Sequence, residues 1–554
     1  FCSCEHCNSV YGPAAYLVDL LRWLGERDAK EGKTAKDVLL ARRPDLATVL
    51  LNCQNTNTTL PHVDLVCELL EDEVAPPWPH DAIPPPPGTL PARQTTRPAE
   101  ELRVNPEHVN AKAYRKLRDP EQACWPHTLP FDLWLEETRG FLGLLKLDRW
   151  RLMELFQDRR SAAPKPSDVD VAAEAFGMNS GELDLVVNAR ADGLGQAHCW
   201  GTSHALAHLG NVARFLEHAS LTYDELRELL PDNARKAPPV EWIQATDAVM
   251  FIRRTSADCD TEKQSIGNLN DNRQLDRLHR FLRLWRRTGL RPWELDCLLR
   301  SPAIGAGQLD GQALVRIRQF RALQKRLGLE IEELLAFYEP LNKKVRALPS
   351  GTEEPLYQRL FLNRALLNPT QEDFEAAVAG TPPAIEDKHY PMLIAALMVS
   401  QEDLDRYLAL LPASPQLSLN NLSTLFRNAR LARCAKLSAA DFRAFVGRLG
   451  ADHDPFASLT ETAYFLDQVD ALRRLGLRVD EIGYILDFRP DAPAGLREEA
   501  ITQLLSRLRD ECKKRYDDYF GSTEPAIDLL ARRLATVPSL GEVALQQKAL
   551  DLVK

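Results

Sequence analysis

Seven times along this chain a residue suited to a helix start is followed, three positions on, by a carboxylate and then at once by an apolar residue. The segments are Asn179-Ser-Gly-Glu182-Leu183, Thr222-Tyr-Asp-Glu225-Leu226, Arg291-Pro-Trp-Glu294-Leu295, Glu330-Ile-Glu-Glu333-Leu334, Ser400-Gln-Glu-Asp403-Leu404, Ser438-Ala-Ala-Asp441-Phe442 and Arg478-Val-Asp-Glu481-Ile482. A Ser or Thr at the first position accepts a bond from an exposed backbone N–H, and the carboxylate returns one while facing the positive end of the helix dipole. Each segment therefore predicts a helix start. The apolar anchors at 183, 226, 295, 334, 404, 442 and 482 lie 43, 69, 39, 70, 38 and 40 residues apart. Four of the six intervals are near forty, and the two long ones have room for an extra helix or loop. Before several anchors comes another amphipathic helix, such as Val212 to His218 or Leu282 to Arg287, ending at a glycine or small residue. Such units cannot bury their apolar faces alone and stack on their neighbours. The expectation is an all-α fold, an extended solenoid-like shell of helix-turn-helix units, more than half helical and with essentially no sheet.

With 554 residues, 44% of them hydrophobic, the chain can bury a large core, which excludes disorder throughout. The charge balance, 69 − 79 = −10, has the wrong sign for a body that neutralises phosphates over a broad face, so nucleic acid is not an expected partner. No run approaches the ~18 to 20 apolar residues of a membrane helix, and insertion into a bilayer by this segment is not expected. The chain begins at Phe1 with no signal-peptide pattern and reads as a piece of a longer protein. Helical periodicity also runs from Pro13 to Glu26. Pro44 opens a short helix with Leu46, Val49 and Leu50, and Pro61 one with Val63, Val66, Leu69 and Leu70. Nine prolines between Val74 and Glu100 form a spacer, the alternative being a ligand for an SH3-type groove. Four regions follow: 1–75 helical, 76–100 proline-rich, 101–260 a first helical lobe, and 261–554 a second lobe of repeats.

No Walker loop, GxSxG elbow or HExxH helix occurs. Gly305, Gly307 and Gly311 are one residue too widely spaced for a dinucleotide fingerprint and read as a loop. His204 and His208, with His198 and Cys199 nearby, have spacing sufficient for two ligands on one helix face but lack an accompanying carboxylate base for zinc hydrolysis. Cys4 and Cys7 form a CxxC knuckle, Cys2 and His6 add donors, and Cys53 lies in the Asn/Thr-rich run Leu51 to Thr58. Three readings stand open for Cys2, Cys4, Cys7 and Cys53: a structural zinc, a disulfide, or plain thiols. The first two share the expectation that the N-terminal cysteines pack against the 52–58 turn. The overall expectation is a chain that is not an enzyme.

Several segments together resemble the A subunit of bacterial toxin complexes (Tc toxins), which includes the virulence-plasmid A proteins. They are Ser9 to Leu21, Arg42-Arg-Pro-Asp-Leu46, Leu51 to Thr58, Leu60-Pro-His-Val-Asp-Leu-Val66, Leu129-Pro-Phe-Asp-Leu133, Leu278 to Trp285, Leu356 to Asn363 and Asp454-Pro-Phe456. Gly12 stands where that family usually has a serine. The resemblance implies the α-helical shell around the translocation channel of a secreted bacterial pore-forming complex. The implied partners are the rest of the A subunit, neighbouring protomers of a homopentamer, and a host-surface receptor. It carries over no metal role for the cysteines. The alternative from another class is a freestanding α-solenoid adaptor that binds a protein partner; a metal enzyme using His198, Cys199, His204 and His208 is the third reading.

Overall fold

The computed structural model describes residues 5–26, 32–50, 52–53, 56, 62–76, 97–158, 160–161, 165–190, 192–233, 238–244, 247–254, 260–348, 351–380, 382–450, 453–487, 498–521, 525, 528, 530, 532, 547 and 551. The fold is mostly α, 61% helix and 3% strand. Two compact units are present: 1–399 with 411–427 and 458–460, and 400–410 with 428–457 and 461–554.

All seven expected helix starts are observed. The helices are Ser180–Val187, Tyr223–Leu229, Pro292–Arg300, Ile331–Leu335, Gln401–Leu408, Ala439–Leu449 and Val479–Asp487. The capping is divided among them by chemistry. Thr222 and Glu225 exchange both bonds. Arg291 and Arg478 have no side-chain oxygen, and Glu330 turns its carboxylate to Arg359, so there the acid three residues on accepts from the cap N–H, at 2.8, 3.0 and 2.8 Å for Arg291, Glu330 and Arg478. Glu182 leaves its box altogether and pairs with Arg287, while Asn179 still caps its helix.

The turn that precedes each start is as regular as the start itself. Two residues before the cap sits a residue in the left-handed conformation: Gly177, Ser220, Gly289, Gly328, Met398, Lys436 and Gly476, with φ between 48° and 70°. An eighth case is Lys146, ahead of the Arg149–Leu155 helix. The residue between is always apolar: Leu147, Met178, Leu221, Leu290, Leu329, Val399, Leu437 and Leu477. At seven of these eight turns its N–H reaches the carbonyl five residues back at 2.9–3.4 Å, closing the preceding helix in a Schellman motif. At the eighth, the Trp285 indole donates to the Leu290 carbonyl at 2.7 Å. The apolar residue is thereby held in place to pack, and the following anchor enters the core: Leu226, Leu295, Leu334 and Leu404 are fully buried.

In the first unit the elements gather around the 17-residue helix Asn272–Thr288, of which Leu282 to Arg287 reads from sequence as amphipathic. Instead it is buried nearly all round, including Gln274, Asp276, His279, Arg280 and Arg283. Its arginines act as cross-links to carbonyls. Arg280 donates to Val186 O at 2.7 Å and to Leu309 O. Arg283, 1% exposed, donates to Leu129 O at 2.6 Å, to His127 O at 3.1 Å and to Cys124 O. A guanidinium carries five donors in a fixed fork, so one side chain satisfies several carbonyls of an irregular loop that has no helix to satisfy them.

A second departure from the periodic reading concerns His62–Val74. Its acids Glu68, Glu71 and Asp72 are buried, whereas Val63, Val66, Leu69 and Leu70 are exposed. The Ala111–Arg118 helix explains the choice. Its Asn110 N–H and Tyr114 hydroxyl donate to Glu71 at 2.6 and 2.5 Å, and Lys116 caps Val74 O at 2.8 Å. Pro44 begins only a 3-10 turn, Pro44–Ala47. Strand is limited, among the described residues, to two antiparallel ladders of three residues each: Phe251–Arg253 with Ser265–Gly267, and Arg346–Leu348 with Gly351–Glu353. Gly267 is required in the first, since a Cβ there would fall 2.4 Å from the Phe251 ring.

In the second unit the core is aromatic. Phe465 takes Phe442 and Phe445 edge-on, with centroids 5.3 and 5.8 Å away. His453 and Glu461 pair at 3.0 Å beside it.

Candidate functional site

Within the first unit, the Pro292–Arg300 and Ile331–Leu335 helices, the loop at 238–242 and the segment leading into Arg346–Leu348 enclose a cavity of about 560 Å³. Asp296 and Arg300 project from one helix face a turn apart and meet at 3.4 Å. Asp296 also accepts the Glu241 and Trp242 backbone N–H groups at 2.8 and 2.6 Å. Despite these partners, burial dominates and pushes its carboxyl up to about 6. Glu241 bridges Arg300, at 2.7 Å, and Lys344. Glu332, buried at the start of its helix, pairs with Arg346 and Arg359 and accepts from Asn342 at 2.6 Å. Arg346 stacks over Trp293 at 4.2 Å and donates to Cys297 Sγ at 3.1 Å. Ser301 donates to Glu339, whose carboxyl is raised by burial.

Four lining acids, Glu241, Asp296, Glu332 and Glu339, thus stand against three lining cations, Arg300, Lys344 and Arg346. Most of these charges are paired with one another, and much of the rest of the lining is apolar, with Pro238, Pro239, Leu335, Ala336 and Pro340. Cys297 is poorly suited to nucleophilic attack. Burial pushes its thiol up to about 12 even beside Arg346, so it remains protonated and weakly nucleophilic at neutral pH. The sequence singled out Glu294 and Glu333 as cap acids but none of the cavity charges, because they converge from segments up to about a hundred residues apart and share no local pattern.

The histidines read as possible ligands do not converge. His198 Nε2 lies 3.0 Å from Pro120 O, while the His208 ring meets His218 edge-on at 5.2 Å. His218 in turn bonds Trp200 O, and Cys199 packs on Cys124. Among the described residues no group of three or more His, Cys, Asp or Glu side chains is arranged to hold a metal ion. Cys2 and Cys4 lie outside the described residues, as does the Cys7 side chain; Cys53 is exposed. Whether those cysteines meet the 52–58 turn therefore also falls outside the described residues. Gly305 and Gly307 lie in a loop as expected, while Gly311 opens the Gly311–Leu327 helix. No helix among the described residues is long and apolar enough to cross a membrane.

The fold and the cavity define a mostly α protein built on recurrent capped hairpins, with a cavity lined by paired charges and apolar side chains between two of them. No protein-family model matches the chain, and no curated protein matches it.

Proposed function

We propose that this chain is a non-catalytic shell segment of a Tc toxin A subunit, surrounding the translocation channel of a secreted bacterial pore-forming complex. Its partners are then the remainder of that subunit and the neighbouring protomers of a pentamer, with a host-surface receptor as a further partner. The observation that supports this reading is the structural work done by the segments that carry the resemblance. Gly12 caps the Pro13–Gly25 helix with extended backbone, and Asp132 caps Leu133–Leu144 while holding Arg118 at 2.9 Å. Asp454 accepts the Phe456 N–H at 2.9 Å, and Pro455 O accepts the Thr462 hydroxyl at 2.6 Å. Leu278 to Trp285 lies in the buried central helix. These are groups that fix turns and helix ends, which is what a shell asks of its residues.

Electron microscopy of the full-length protein that carries this chain tests the proposal. A fivefold particle with this segment outside a central channel is the expected image. A particle without fivefold symmetry overturns it, and stoichiometric binding of an extended peptide by the monomeric chain would favour the adaptor alternative.

A further inference from the structure

Cys124, in the loop after the Ala111–Arg118 helix, and Cys199, in the Gly193–Trp200 helix, bring their sulfurs to 3.0 Å across 75 residues of sequence. Both are buried, at 1% and 0% exposure. The loop is fixed on this spot by Arg283, whose guanidinium holds the carbonyls of Cys124, His127 and Leu129. The helix is fixed by its own cap, Asp192 accepting from Gly195 N at 2.7 Å, and by Gln196, which binds Arg190 O and the Trp200 indole. Two rigidly held sulfurs in contact need only a small side-chain rotation to reach bonding distance.

We propose that Cys124 and Cys199 form an intrachain disulfide by thiol–disulfide exchange with a small-molecule disulfide of the glutathione type. In the closed loop the two thiols share a hydrogen bond and Arg283 lies 3.6 Å from the Cys124 sulfur. In the open loop one of the two cysteines, as its thiolate, attacks one sulfur of the small disulfide, forming a mixed disulfide and expelling one thiolate. As the loop closes, the other cysteine gives up its proton and attacks the first cysteine's sulfur, expelling the second. Two protein thiols are oxidised, one external disulfide is reduced to two thiols, and the two protons pass to the leaving thiolates. Because neither sulfur is exposed in the folded chain, exchange takes place while the loop is open, during folding or local unfolding, and closure then shields the bond. The inference does not depend on the shell reading.

The test is to refold the full chain from denaturant in a buffer of oxidised and reduced glutathione, quench in acid, alkylate in denaturant and map the digest by mass. The expected product is a linked pair of peptides containing Cys124 and Cys199, lighter by two hydrogen atoms than the separate peptides and released by a thiol reductant. In Cys124→Ser the linked pair vanishes and Cys199 is recovered alkylated. Recovery of both wild-type cysteines as alkylated thiols from folded chain overturns the proposal, as does either one joined to a different cysteine. The wild-type map decides the matter even if the variant folds poorly.

Discussion

Lys436 occupies a backbone conformation, φ 48°, that glycine adopts without steric cost and a side chain does not. Its counterpart forty residues on, Gly476, has φ 70° in the same turn. The lysine is tolerated because the turn around it is overdetermined. Its own N–H and that of Leu437 bond Arg433 O and Ala432 O, both at 2.9 Å, and Ser438 begins the next helix with a side-chain bond to Asp441 N. Lys436→Gly is therefore expected to stabilise the chain by about 0.5 to 1 kcal/mol, the relief of left-handed strain exceeding the extra freedom given to the unfolded state. A shift of the urea midpoint to higher concentration is the readout; a decrease would mean that the lysine side chain contributes packing that outweighs its strain.

At the scale of the element, the Asn272–Thr288 helix concentrates the polar interactions of the first unit. Replacing Arg283 by methionine keeps the buried volume but leaves three loop carbonyls without their donor, which costs about 3 to 5 kcal/mol; lysine, a single point charge, recovers only part of that. Equal urea midpoints for wild type and Arg283→Met would contradict this.

The same helix sets the response to acid. Burial pushes His279 down to about 4, and burial with the nearby Arg283 and His279 holds His127 well below its ordinary range. Both rings favour neutrality when folded, so their contribution is complete above the unfolded value near 6.5 and is lost as pH falls toward 4. For His279 alone the loss is of the order of 3 kcal/mol. Asp296 works in the opposite sense. Its raised value of about 6 means the fold gains as pH falls from 6 toward 3.8, by a comparable amount. Glu339, half-buried and also raised by burial, acts in the same sense as Asp296, and the two buried histidines are expected to outweigh these two carboxyls. The urea midpoint is expected to be lower at pH 5 than at pH 7, and an equal or higher midpoint at pH 5 would show that the carboxyls dominate.

For the whole molecule, far-UV circular dichroism is expected to report helix near the observed 61%, with little β signal. Light scattering of this chain alone at micromolar concentration is expected to give a mass near 62.4 kDa, a monomer or weak association. The pentamer of the proposed function is then held by parts of the subunit outside this chain. A stable pentamer of the chain alone would instead locate the assembly contacts within these helices.

The helix starts were legible because capping is local: a carboxylate three residues beyond a cap meets the same backbone N–H whatever the rest of the fold does. The turns before them were half legible, since Gly177, Gly289, Gly328 and Gly476 announce a left-handed residue while Lys146, Ser220, Met398 and Lys436 do not. Periodicity misled where polar groups found buried partners. The Glu71 face of His62–Val74 turned inward to Asn110 and Tyr114, leaving Val63, Val66, Leu69 and Leu70 exposed. The sequence by itself determined the helical class and where the second helix of each unit begins, both of which depend on residues within five positions of one another. Only the tertiary structure decided which charges are buried, that Glu241, Asp296, Glu332 and Arg346 share a cavity, and that Cys124 meets Cys199. A buried charge is stable only opposite a partner, and those partners arrive from segments tens of residues away whose approach no local pattern records.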